Sequence, residues 1–388
     1  MEKNGEWRKG GFLFFFLLLL FLTAPFLPSA EISIPRFELM SWGRMEDEQF
    51  GIFSRAYLEI AIQGGTETFG GQAEFLFEDS SIEDTGELPS TYDPVLLEDS
   101  FQKKIGLKSL SVEMKHLLNS SLSLAYFTGT TDVFGGGKIF PTEFHTPPIA
   151  SLVEGYVYFP WGVRYEGIYT VSGTGLKLDT AKTFDSALVS LYTYQDQYLG
   201  KGKYSSDLHA VFNFNALKME TFLGASYPIS TYGLYRGGLL FYYSTPEGGE
   251  FFTQMGIPLW DPEADKEFTV DLFYFLFEPR VRIGLFAIDI TFFWHPEYYL
   301  QQPTLESGTA DIFLRFMYGQ LNKTHWMGGI ESGFTIQTNV GDEVSYRLTP
   351  LFMLDTAGVT WELRVNFNLY PYHLNSLVEA YLGAKTSF

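Results

Sequence analysis

Charged residues recur two or four positions apart inside otherwise apolar runs: Arg55 and Glu59, Arg164 and Glu166, Asp311 and Arg315, Glu362 and Arg364, with Asp271 in a further run. An even spacing puts such side chains on one face of an extended strand. Aligned this way they do non-covalent chemistry, either pairing across neighbouring strands or presenting a field to ions and polar solutes. A second group, Asp132, Lys138 and Glu143, brackets the triplet Gly135-Gly136-Gly137 and leads into His145, Pro147 and Pro148. Three consecutive glycines make a poor strand but allow a sharp fold-back. Two readings stand side by side. One is an ordinary external loop, the default for a long, variable segment. The other is a constriction in which those three charges set ion preference.

Covalent chemistry has little to work with. Of the six histidines, only His209 sits mid-strand beside polar residues, Asn213 and Asn215. A hydrolytic triad also needs a nucleophile beside its histidine, and no serine is placed there. There is no cysteine, so disulfides, thiolate metal sites and a lipidated N-terminal cysteine are excluded. No H-E-x-x-H and no phosphate-binding glycine loop occurs. The acidic run within Ser80 to Ser100 (Glu83, Asp84, Glu87, Asp93, Glu98, Asp99) is too irregular for a twelve-residue calcium loop and reads as solvated. The sequence therefore calls for no catalytic residue, no metal and no cofactor. The net charge of -20 excludes a nucleic-acid partner, which needs clustered bases.

The elements that must carry the charges are strands. Val359, Trp361, Leu363, Val365, Phe367 and Leu369 alternate with Thr360, Glu362, Arg364, Asn366 and Asn368. The same period appears in Ala56 to Ile62 against Arg55, Tyr57 and Glu59. It recurs in Leu208 to Phe214 around His209, in Phe268 to Leu276 around Asp271, and in Ala310 to Tyr318 around Asp311 and Arg315. The apolar faces are continuous and aromatic: the 388-residue chain holds 38 Phe and 24 Tyr and is only 19% charged, below the usual quarter or so. That pattern suits a strand with lipid on one side and water on the other. Short turn signals (Pro160 to Gly162, Asn322-Lys323, Asp355 to Gly358) mix with longer polar stretches (Ser80 to Ser100, His295 to Ser307). Counting along the chain predicts 16 to 20 strands, with about 18 preferred. A phase change near Lys108 predicts a bulge. Trp294, Tyr298, Tyr299, Trp326, Tyr370 and Tyr372, near strand ends, are expected in an interfacial girdle.

Lys3, Arg8 and Lys9 precede an apolar run from Phe12 to Leu22, which Pro25 and Pro28 interrupt before Glu31. Residues 1–30 therefore read as a secretory signal peptide and 31–388 as a single barrel domain. From Gly383 to the final Phe388, with Ala380, Leu382 and Ala384 on one face, the chain resembles the C-terminal assembly signal of Gram-negative outer-membrane β-barrels, although Thr386 departs from the usual hydrophobic residue. The resemblance implies a closed, antiparallel, up-and-down transmembrane β-barrel in the outer membrane of a Gram-negative-type cell. Its implied partners are outer-membrane lipid and the barrel-assembly machinery. Size and loop pattern are similar to porins and to export porins of the alginate type. The expectation is a porin-like channel for diffusion or export of small polar solutes, lined by Arg55, Glu59, Arg164, Glu166, Asp271, Asp311, Arg315, Glu362 and Arg364. A surface barrel that binds partners through its loops is the alternative, a barrel hydrolase the remote one. Oligomeric state is left open.

Overall fold

A computed structural model describes residues 30–46, 49–79, 103–117, 120–147, 149–152, 167–180, 186–227, 232–265, 267–300, 302–303, 307–338, 343–373 and 377–386. Arg164, Glu166, Phe388, the Pro160 turn and the 80–100 stretch lie outside them. Eighteen antiparallel strands form one sheet. They are β1 (Ala30–Glu46), β2 (Gln49–Gly65), β3 (Phe69–Asp79), β4 (Lys103–Met114), β5 (Ser123–Phe134), β6 (Tyr169–Asp179), β7 (Ala187–Asp196), β8 (Tyr204–Phe214) and β9 (Leu217–Tyr227). The second half comprises β10 (Leu234–Ser244), β11 (Gly249–Trp260), β12 (Tyr274–Ile283), β13 (Phe286–Trp294), β14 (Thr309–Gly319), β15 (Trp326–Gln337), β16 (Glu343–Thr356), β17 (Val359–Tyr370) and β18 (Val378–Thr386).

Each strand pairs with its sequence neighbour, and β1 also pairs with β18 from Phe37↔Thr386 to Gly43↔Ala380, which closes the sheet into a barrel. Closure leaves no strand edge, the condition for backbone polar groups to sit in hydrocarbon. The alternation expected from sequence sets the two faces. Leu223 (66% exposed), Phe286, Ile288, Phe316 and Leu363 point outward, whereas Glu220, Asp289, Arg315 and Glu362 are buried inside. Turns at one end are short, such as 215–216, 284–285 and 357–358; at the other lie the long connections 135–168, 261–273 and 295–308. In outer-membrane barrels the short turns are periplasmic and the long loops external.

The bulge falls where the phase change predicts it. Glu74 pairs with Ser109 and Phe75 with Leu107, leaving Lys108 as the extra residue. Strand β5 then passes so close that a Cβ on Gly129, at φ +92°, would stand 2.2 Å from the Lys108 carbonyl oxygen, so only glycine fits there. The region Glu31 to Met45 forms one long strand.

One expected strand begins late. The alternation from Phe268 to Leu276 starts a strand only at Tyr274; Asp271 sits in a 3-10 turn, Val270–Leu272, within the preceding external connection. Tyr274 and Leu276 face the interior and are fully buried. A period of two shows which residues share a face but not which face meets lipid when both are apolar. Tyr299 likewise leaves the expected girdle and packs inward, its ring 5.3 Å from that of Tyr274, whereas Trp326, Tyr370 and Tyr372 are exposed at strand ends.

Candidate functional site

The inner faces of β8 to β14 carry an apolar patch that includes Phe222, Leu240, Phe252, Leu276 and Phe293. Left wet, it would be unfavourable by roughly 25 cal/mol per Å². The connection between β5 and β6 covers it. Phe134, Phe140, Ile149 and Ile168 pack into the patch, and Phe134 lies tilted against Phe222 at 5.2 Å and stacks on the His209 ring at 4.5 Å. The segment holding Lys138 and Glu143 thus folds into the barrel instead of standing outside it, whereas Asp132 belongs to the wall strand β5.

Two buried carboxylates fix it there. Glu220, on the inner face of β9, accepts the Gly135 amide at 2.7 Å, the Gly137 amide at 2.9 Å and a contact from His209 Nε2 at 3.0 Å. Gly135 and Gly137 both have positive φ, and a Cβ on Gly137 would meet the Ile149 carbonyl oxygen at 2.6 Å. The triplet therefore builds a small nest of amides around an anion. Gln254 of β11 donates its side-chain amide to the Gly135 carbonyl. Farther along, Glu278 of β12 accepts Ser151 Oγ at 2.8 Å and the Leu152 amide at 2.9 Å, while Arg280 donates to the Ala150 carbonyl. Between these anchors lies a short helix, α1 (Ile139–Phe144), inside the barrel with Phe140 buried.

Across from α1 a cavity of about 880 Å³ remains. Its wall includes Arg36, Glu38, Glu59, Glu74 and Lys108 from β1 to β4, Asp132 of β5 and Lys177 of β6, and the folded-in segment contributes Lys138 and Glu143. It reaches Gly358 and Thr386 at the short-turn end and Tyr198 and Leu300 at the long-loop end. Lys108 Nζ lies 2.7 Å from Glu59 and 3.4 Å from Glu74; Arg36 pairs with Glu38 at 2.7 Å, and Lys177 with Asp132 at 3.1 Å. Tyr192 donates to Asp132 at 2.9 Å. Lys138 and Glu143 are exposed to the cavity and make no ion pair among the described residues. Five bases (Arg36, Lys108, Lys138, Lys177, Lys385) face five acids (Glu38, Glu59, Glu74, Asp132, Glu143), so the passage carries mixed charge without a dominant sign.

Of the residues expected on the inner wall, Glu59 borders this cavity. Arg55 sits over the Trp42 ring at 4.9 Å. Four of the rest brace the wall: Arg315 donates to Glu331 at 2.5 Å, Arg364 pairs with Glu362 and lies 3.8 Å from Glu331, and Asp311 bonds His295 and Thr335, each at 2.6 Å. Sequence reasoning missed Glu220, Gln254 and Glu278. Their inward phase was legible, but their partners lie more than 80 residues away in the chain, with no local signal.

The sequence matches no protein-family model and no curated protein sequence. Solved structures with the same architecture include Pseudomonas aeruginosa OpdL, with a TM-score of 0.55 at 11% identity over 93% of this chain and 99% of that one. P. aeruginosa OccK2 (OpdF) gives 0.53 at 9% identity over 93% and 98%. Acinetobacter baumannii OccAB2 gives 0.52 at 13% identity over 94% and 98%. By its fold the chain is a closed antiparallel β-barrel like these three.

Proposed function

We propose that this barrel is a passive channel through which small hydrophilic solutes cross the outer membrane of a Gram-negative-type cell. One observation carries the reading: a single polar cavity runs from the short-turn rim to the long-loop rim beside an inward-folded loop. A barrel of 18 strands is wide enough to keep an aqueous path when part of its lumen is filled. Lys138 and Glu143 then stand at the constriction, facing the wall charges Glu59, Lys108 and Asp132. Ions and small polar solutes would exchange hydration water for these alternating charges, while bulky or apolar solutes would be excluded by the narrowing around α1. In the same reading, residues 1–30 direct export and are removed, and the C-terminal segment from Gly383 to Phe388 is read by the barrel-assembly machinery.

Conductance across a planar bilayer tests the proposal. The refolded protein is expected to give stepwise openings in KCl. A correctly inserted, heat-resistant barrel that passes no current would overturn it.

A further inference from the structure

The outer wall carries a slot that the channel does not use. On β10 the outward position between Tyr235 and Leu239 is Gly237, so the wall is dented where its neighbours Leu223 and Met255 project outward. The β10–β11 register slips beside it, between Tyr235↔Trp260 and Gly237↔Ile257. Above the dent the external connection leans back over the wall: Trp260 lies 5.9 Å from Tyr235, and Phe268 makes an edge contact with Trp260 at 5.8 Å. The result is a concavity of about 600 Å³ whose lining is almost wholly carbon. Rigid ring walls keep such a space from collapsing, and an apolar concavity of this kind excludes water.

We propose that this slot holds one acyl chain of an outer-leaflet membrane lipid. The proposal rests on the outer-membrane reading above, because that placement makes hydrocarbon the medium at this face. Leu223 at 66% exposure and Phe268 at 54% are exposed apolar surface that only hydrocarbon would cover without loss. The slot opens at the long-loop rim, hence toward the external leaflet, and Gly237 lies three residues into β10, roughly 10 Å along the strand. That depth is where the upper part of an acyl chain runs. Among the described residues the slot's lining is apolar, which suits the chain of the lipid; Arg236, the one base among them, points into the barrel and pairs with Asp207.

The test uses the full-length barrel in detergent, titrated with dimyristoylphosphatidylcholine and weighed by native mass spectrometry. One lipid adduct is expected to saturate ahead of all others. Gly237→Leu, which fills the slot against the flexible end of Leu223, should weaken that adduct about tenfold, the effect of two methylenes losing contact, and leave conductance unchanged. Phe268→Ala, in a connection outside the wall, should weaken it as well without any demand on barrel folding. Equal adduct series in all three proteins would overturn the slot. So would barrel oligomers that Gly237→Leu dissociates with no lipid retained, which would assign the slot to a second copy of the chain. A wild-type adduct on a barrel that passes no current would sink the channel reading and leave the slot standing.

Discussion

Replacing Glu220 with glutamine changes one atom and removes the charge that gathers the glycine amides. The carboxylate uses both oxygens, one for Gly135 and His209 and the other for Gly137, and its side chain is 1% exposed. Glutamine keeps one acceptor and turns an NH2 toward the second amide, so one charge-assisted bond is lost and one buried N–H is left facing a donor. Losing the bond amounts to about 1.5 to 3 kcal/mol and the unsatisfied donor to a further 1 kcal/mol or so. A net loss near 3 kcal/mol raises the released fraction of the loop roughly a hundredfold. The barrel itself should hold, because its wall is a closed ladder that Glu220 does not join through its side chain. Two measurements read this: single-channel current, expected to turn noisy with frequent substates, and trypsin cleavage after Lys138, expected to become rapid while the barrel core resists. A quiet, wild-type current together with an uncut Lys138 would refute the claim that the carboxylate holds the loop.

Two further outcomes follow from the same lumen. Lys138→Glu replaces a base that makes no ion pair among the described residues with an acid on the cavity lining, changing the local charge by two units, and should move the reversal potential in a KCl gradient toward cation preference; an unmoved potential would remove Lys138 from the solute path. Deleting Phe388 should lower the amount of barrel assembled in the outer membrane by several-fold while export across the inner membrane continues, as fractionation and immunoblotting would show; unchanged levels would mean the terminal aromatic is not read.

The architecture was legible because a strand in a membrane writes its two environments into alternate residues. β17 shows this best: Trp361 and Leu363 are exposed outside while Glu362 and Asn366 are buried inside. The Lys108 bulge was readable for the same reason, as a slip in that period. Where both environments are apolar the code fails. In β12, Tyr274 and Leu276 look like lipid-facing residues but lie under the loop, so the wall was read with the wrong face outward and with too early a start at Asp271. The inward loop was half-readable. The glycine triplet announced a fold-back, but its direction depends on Glu220 and Glu278, and pairing over such separations leaves no trace in local composition. The charges expected to line the water divide for a physical reason. Arg315 and Arg364 find carboxylates within bonding distance and become bracing, while Lys138, just before α1, and Glu143, on it, make no ion pair among the described residues.

The seam between β1 and β18 has a consequence for time as well as for shape. It joins residues nearly a whole chain length apart, Phe37 to Thr386, and contacts that distant form slowly. Until then the sheet is open on two edges. The loop's anchors on β9, β11 and β12 all follow it in the chain, so it can dock only after those strands are laid down. None of these anchors lies on β1 or β18, so the interior can be furnished while the seam is still open.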